Sequence, residues 1–306
     1  MRRAAPSQVG EPYTDLSARQ HSYFHGVRSE PADAHPTPFE DVNVLLARLL
    51  ADVRAILGDR LVGLYLYGSL SSGGFDPDSA HVDFLAVTDG ALHESDLDAL
   101  RQMHEGLARS GLPYATELEG SYIPAHALRR YDPGDCRHPS IGVDWDFGII
   151  SHGHQWVLEG ELVRTRGVRV AGPPPASLID PATPDALRDA ALHILRDFWS
   201  KQLDGAEWLR PRNYQAFAIL TICRAMYTVE HGRVISKPEA ARWARGALDP
   251  EWPPLVDRAL AWRHEREDAP LDETMAFIRH ALERTGTLEE GDRWTRRPAR
   301  LPKSLR

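Results

Sequence analysis

The hydrophobic period of this 306-residue chain changes once, at Gly172-Pro173-Pro174-Pro175. Before that point, short apolar runs alternate with amphipathic stretches. Leu61–Tyr67 and Val82–Thr88 read as buried strands, and 114–123 contains a third. Phe39–Leu57 carries Val42, Leu45, Leu46, Leu49, Leu50 and Val53 on one helical face, with Gly58 as a stop. Further helices are expected over about 94–109 and near 155–166, with a short strand near 168–171. Beyond Pro181 and Pro184 only helical periods occur, over about 184–204, 213–231, 237–247, 252–265 and 271–284. Ser236 with Glu239 three residues on is a capping box. The pattern implies an α/β (α+β) domain with a mixed sheet over 37–175, followed by an all-α helical bundle over 181–285. Residues 1–36, broken by prolines, read as a poorly ordered arm, and 286–306 as a basic tail.

Charge and composition exclude some functions. Lys+Arg 36 against Asp+Glu 44 gives −8, which disfavours general nucleic-acid binding. No segment reaches the roughly 20 apolar residues of a membrane span. Met1-Arg2-Arg3-Ala4-Ala5-Pro6 has charge with no apolar stretch behind it, so no signal peptide is read and the expected location is cytoplasmic. Cys136 and Cys223 sit in no metal-ligand spacing and are expected to be buried thiols.

Chemistry concentrates in one segment, Tyr67-Gly68-Ser69-Leu70-Ser71-Ser72-Gly73-Gly74-Phe75-Asp76-Pro77-Asp78-Ser79-Ala80-His81-Val82-Asp83. A strand runs into Gly-Ser, a Gly-rich loop follows, and the next strand opens with polar groups at i and i+2. Gly68 lets a backbone approach a ligand closely. Backbone N–H groups and the Ser69 hydroxyl suit phosphate oxygens. Alternation puts His81 and Asp83 on one face, a candidate metal site. A hairpin loop with a polar rim is the plainer alternative and stays open on spacing alone.

Gly-Ser, a loop and an Asp-x-Asp-like strand opening resemble the signature of polymerase-β-type nucleotidyltransferases. The chain is most similar to aminoglycoside adenylyltransferases and their relatives with a C-terminal helical domain. The resemblance continues in Leu220-Thr221-Ile222-Cys223-Arg224-Ala225-Met226-Tyr227 and in Gly232-Arg233-Val234-Ile235-Ser236-Lys237-Pro238-Glu239-Ala240-Ala241-Arg242-Trp243-Ala244. It covers about residues 40–285. It implies transfer of AMP from ATP to a hydroxyl of a small molecule, with Mg²⁺ or Mn²⁺. Ser69, Arg224 and Lys237 would bind phosphates, and Trp262 would lie by the nucleotide. His81 and Asp83 would hold metal, and Glu119 would be the general base, with Glu117 as its substitute.

Two departures qualify this. His81 stands where the family has its first Asp. Mg²⁺ prefers oxygen, and imidazole suits Zn²⁺, Mn²⁺ or Fe²⁺ better; Asp76 or Asp78 is a nearby replacement in a different register. Arg210-Pro211-Arg212-Asn213-Tyr214 stands where the streptomycin enzymes carry acidic groups, so the expected acceptor is not strongly cationic. Two other functions remain compatible: an enzyme using His81 as acid or base without nucleotide or metal, and a non-catalytic small-molecule binder. Plainer roles exist for each residue as well: a turn for Ser69, a strand-end cap for Asp83, solvated positions for Glu117 and Glu119, and helix-end charges for Arg224 and Lys237. Trp199, Trp208, Trp243, Trp252 and Trp262 read first as core, and His152-Gly153-His154 as hydrogen-bonded rather than metal-binding.

Overall fold

The computed structural model describes residues 35–77, 81–143 and 145–288. Asp78, nearly all of the expected arm and the arginines of the expected tail lie outside them. The described elements run α1 (Glu40–Leu57), β1 (Leu61–Leu66), α2 (Gly68–Ser72), β2 (Val82–Thr88), α3 (Glu94–Ala108), β3 (Leu118–Pro124), α4 (Ala125–Arg129), β4 (Arg137–Gly142), β5 (Trp145–Ser151), α5 (Gln155–Arg166), β6 (Val168–Ala171), α6 (Pro175–Leu178), α7 (Pro184–His193), α8 (Arg212–His231), α9 (Lys237–Ala247), α10 (Pro253–Ala261) and α11 (Asp272–Arg284).

The six strands form one mixed sheet in the order β5-β4-β3-β2-β1-β6. Only β2 and β3 run parallel; every other pair is antiparallel. A parallel pair needs a crossover, which α3 supplies. One face of the sheet packs on α1 and α3 through Val42, Leu45, Leu46, Leu49, Leu64, Leu66, Phe84 and Leu100. The opposite face, with Tyr65, Leu85, Val87 and Ile123, packs against Trp156 and Val163 of α5. The C-terminal helices have their own core, centred on Trp199, Ile219, Ile222, Cys223, Phe277 and Ile278. Arg166 at the end of α5 joins the halves, donating to both carboxylate oxygens of Glu239 in α9 at 2.7 and 3.2 Å. His264 adds a second link to Asp76 at 3.2 Å.

Several expectations are corrected. The first turn of the expected 68–80 loop is helical, with Gly73 closing it at φ 70°. The third strand, expected within 114–123, is Leu118–Pro124, and Tyr114 ahead of it sits in a turn at φ 60°. The hairpin β4–β5 carries no clean alternation in Arg137–Gly142 and was not expected. Its Pro139 lacks an N–H, and the ladder to β3 accordingly ends at Ser121↔Ser140. The helix expected over 184–204 is three pieces. After His193 a widened π-type turn, Ile194–Trp199, keeps Leu195 and Trp199 in the core, and a 3₁₀ segment follows. Cys136 is only half-buried, its thiol donating to Pro133 O, whereas Cys223 is buried.

Candidate active site

The sheet supplies the floor. β1 ends at Leu66, and the backbone turns through Gly68 at φ 61° into α2. A Cβ built on Gly68 would lie 2.7 Å from the Asp83 carboxyl carbon and closer still to Oδ2. The glycine is therefore what lets the turn that carries Ser69 press on the carboxylate. Parallel register sets Asp83 of β2 opposite Glu119 of β3. Ser69, His81, Asp83 and Glu119 are all half-buried. His81 Nδ1 lies 3.4 Å from a Glu119 oxygen, and its Nε2 lies 3.9 Å from Glu117, which sits just ahead of β3.

These groups perturb one another. Burial, then the Glu119 charge, pushes the Asp83 carboxyl up to about 7, while His81 and Lys237 pull it down. The bond to Glu119 raises His81 against the effect of burial. Burial of an uncompensated carboxylate is costly, so Asp83 belongs beside positive charge.

The helices supply the opposite wall. Arg224 lies midway along α8 and is 9% exposed, and Lys237 opens α9. The Ser236 hydroxyl accepts from Glu239 N, and Glu239 accepts from Ser236 N, so the capping box fixes the turn that presents Lys237. The Lys237 ammonium stands 4.4 Å over the Phe217 ring. Burial and neighbouring Arg224 bring Lys237 down to about 8, with Asp83, Glu159 and Glu119 acting in the opposite sense. Residues from two separate folding units thus share one electrostatic site.

The helical half, residues 177–285, matches the family described as "Aminoglycoside adenylyltransferase, C-terminal domain". The chain is 24% identical to an aminoglycoside (3'') (9) adenylyltransferase of Escherichia coli over 264 residues, covering 78% of this chain and 93% of that protein. It is also 24% identical to a spectinomycin 9-adenylyltransferase of Staphylococcus aureus over 237 residues, covering 71% and 83%. A crystal structure of a spectinomycin adenyltransferase from Enterococcus faecialis, with ATP and spectinomycin, superposes with a TM-score of 0.63 at 16% identity. It covers 79% of this chain and 98% of that one. The chain is thus similar, over most of its length, to aminoglycoside adenylyltransferases. As in that fold, an α/β sheet domain precedes a helical one.

Trp262 lies in the core of the helical domain at the end of α10, and both Arg212 and Arg258 stand over its ring, at 4.8 and 5.6 Å. Its indole face is thus occupied by guanidinium groups. Arg212 also pairs with Glu265 at 3.2 Å, and Arg210 pairs with Glu207. These two cations, expected to repel a cationic acceptor, are locally compensated. His152 is buried beside Ser140, His138 and Trp156, and His154 stacks on His193 at 4.1 Å. Among the described residues, no three His, Cys, Asp or Glu side chains converge as a ready metal cage.

Two site residues went unread in the sequence. Glu159 of α5 reaches to 4.0 Å from Arg224. Tyr67, at the end of β1, is pushed well up by burial and then by the charges of Asp83, Glu159 and Glu119. No periodic signal marked Glu159: the buried residues of α5, Trp156, Leu158, Gly160, Leu162 and Val163, are spread round the helix rather than on one narrow face.

Proposed function

We propose that the cleft transfers AMP from ATP to a hydroxyl of a small molecule. The observation that carries this is that Lys237, beside Arg224 in the helical half, lies within electrostatic reach of the carboxylates of Asp83 and Glu119 from the sheet. Such a site pairs phosphate-binding cations with a carboxylate base, the two requirements of nucleotidyl transfer.

Ser69, with its hydroxyl and the backbone N–H groups of its turn, would hold phosphate oxygens. Glu119 would take the proton of the acceptor hydroxyl. The freed oxygen then bonds to the α-phosphorus as the bond to the bridging oxygen breaks. Pyrophosphate leaves with its charge met by Arg224 and Lys237. Trp262, capped by its two arginines, fits the role of a wall behind the site rather than a bare stacking surface.

Asp83 fits a Mg²⁺ ligand, because it is a hard oxygen donor whose buried charge calls for a cation. His81 fits less well: it offers nitrogen, and both ring nitrogens face carboxylates. One or two carboxylates completed by phosphate oxygens and water is an ordinary Mg²⁺ environment. The chemistry a cation supplies at such a position is neutralisation of phosphoryl charge.

The acceptor is a small molecule that is neutral or anionic. The first turn of α8 holds no acidic residue of its own, and the carboxylate of Glu265 beside it is paired with Arg212. A reading in which His81 works without nucleotide gives Arg224 and Lys237 no task. ATP labelled at the α-phosphate, incubated with neutral, anionic and cationic hydroxyl compounds including spectinomycin, tests the reading. Label should pass to a neutral or anionic acceptor. Label passing only to cationic aminoglycosides would overturn the acceptor class, and none passing anywhere the activity.

A further inference from the structure

We infer that Glu159 is a built-in counter-anion of the nucleotide cradle, one that holds Arg224 and Lys237 while the cleft is empty and competes with the triphosphate for them. The inference rests on the proposed nucleotide reading and assigns a residue that this reading does not use.

The Arg224 side chain is almost wholly buried, its Nε has no hydrogen-bond partner among the described residues, and its Nη2 stands 4.0 Å from a Glu159 oxygen. That distance is an ion pair without a tight hydrogen bond. A buried guanidinium with an unmet donor is held ready for a further anion. Glu159 lies among the same charges. Burial raises its carboxyl, Arg224 and then Lys237 oppose that rise, and Glu119 adds to it. Its pairing is therefore loose at Arg224 and shared with Lys237.

Charge balance gives the consequence. Asp83, Glu119 and Glu159 act on Lys237, Glu159 also acts on Arg224, and Glu117 and Glu119 flank His81. A triphosphate adds several negative charges to the same space. Glu159 compensates the cations while the cleft is empty, and repels the nucleotide once it enters. Removing that charge while keeping its shape lowers the repulsion and leaves Arg224 seeking an anion. Both effects act in the same direction on affinity. The same carboxylate helps expel pyrophosphate after transfer.

Equilibrium binding of α,β-methylene-ATP and of inorganic pyrophosphate, with and without Mg²⁺, tests this on wild type, Glu159→Gln and Glu159→Asp. Glu159→Gln should bind both probes about tenfold more tightly. Glu159→Asp, which restores the charge, should stay within about twofold of wild type. In turnover, Glu159→Gln should lower KM for ATP while kcat stays level or falls. Equal or weaker binding by a folded Glu159→Gln, beside a wild type that binds, would overturn the inference and leave the nucleotide reading intact. Binding seen only in Glu159→Gln would support it. No binding by any of the three proteins would overturn the nucleotide reading and this inference together.

Discussion

Replacing Gly68 by alanine should damage the site far more than it damages the fold. Two costs separate. The first is conformational: Gly68 sits at φ 61°, where a Cβ costs about 1–2 kcal/mol. The second is local. The new methyl would come within 2.7 Å of the Asp83 carboxyl carbon, so Asp83 or the Ser69 turn must move by the better part of an ångström. A 1 Å misplacement of reacting groups costs on the order of 10²-fold in rate. Gly73→Ala is the matched control. Gly73 is also left-handed, at φ 70°, but a Cβ there meets nothing within 4 Å among the described residues. Both variants should lose about 1–2 kcal/mol in urea denaturation. Only Gly68→Ala should lose ATP-dependent activity by about two orders of magnitude. Equal activity losses in the two variants would refute the claim that Gly68 exists to let the turn approach Asp83.

Two further outcomes follow from the charges. Asp96, which accepts two bonds from Arg60, is held down to about 2 by that partner, and Glu239 is held down to about 2 by Arg166. Both lie below their unfolded values, so their stabilisation is complete above about pH 4.5 and is lost as pH falls toward about 2. Asp96→Asn should cost about 1–2 kcal/mol at pH 7 and flatten the acid limb of a stability–pH curve; an unchanged limb would count against the pair. His81→Asp should bind Mn²⁺ about tenfold more tightly, read from the electron paramagnetic resonance of free Mn²⁺, since an oxygen ligand and a negative charge replace an imidazole turned toward carboxylates. Equal affinity would show that position 81 does not limit cation binding.

The fold was legible wherever period and punctuation agreed. Val82–Thr88, Lys237–Ala247 and the Ser236–Glu239 box all match the structure, because each has a clear apolar run or cap. The β4–β5 hairpin was not legible: Pro139 and the polar residues of Arg137–Gly142 hide a strand whose pairing partners are distant in sequence. The cleft was legible only in part. Gly-Ser and His81-x-Asp83 stand out through turn chemistry and alternation, whereas Arg224, Lys237 and Glu119 were indicated only by the family resemblance. Tyr67 and Glu159 went unread, because what recruits them is the packing of α5 across the sheet, which brings Glu159 to within 4.0 Å of Arg224 in α8, a tertiary fact with no local trace in the sequence.

The products of ATP turnover test the central claim most directly. Wild type and Glu119→Gln are incubated with ATP and the acceptor that takes label, and nucleotides, pyrophosphate and phosphate are quantified. The account predicts adenylylated acceptor and pyrophosphate in equal amounts from wild type. From Glu119→Gln it predicts neither above background, although that variant still binds α,β-methylene-ATP. Formation of ADP and phosphorylated acceptor, or undiminished pyrophosphate release by Glu119→Gln, would contradict it.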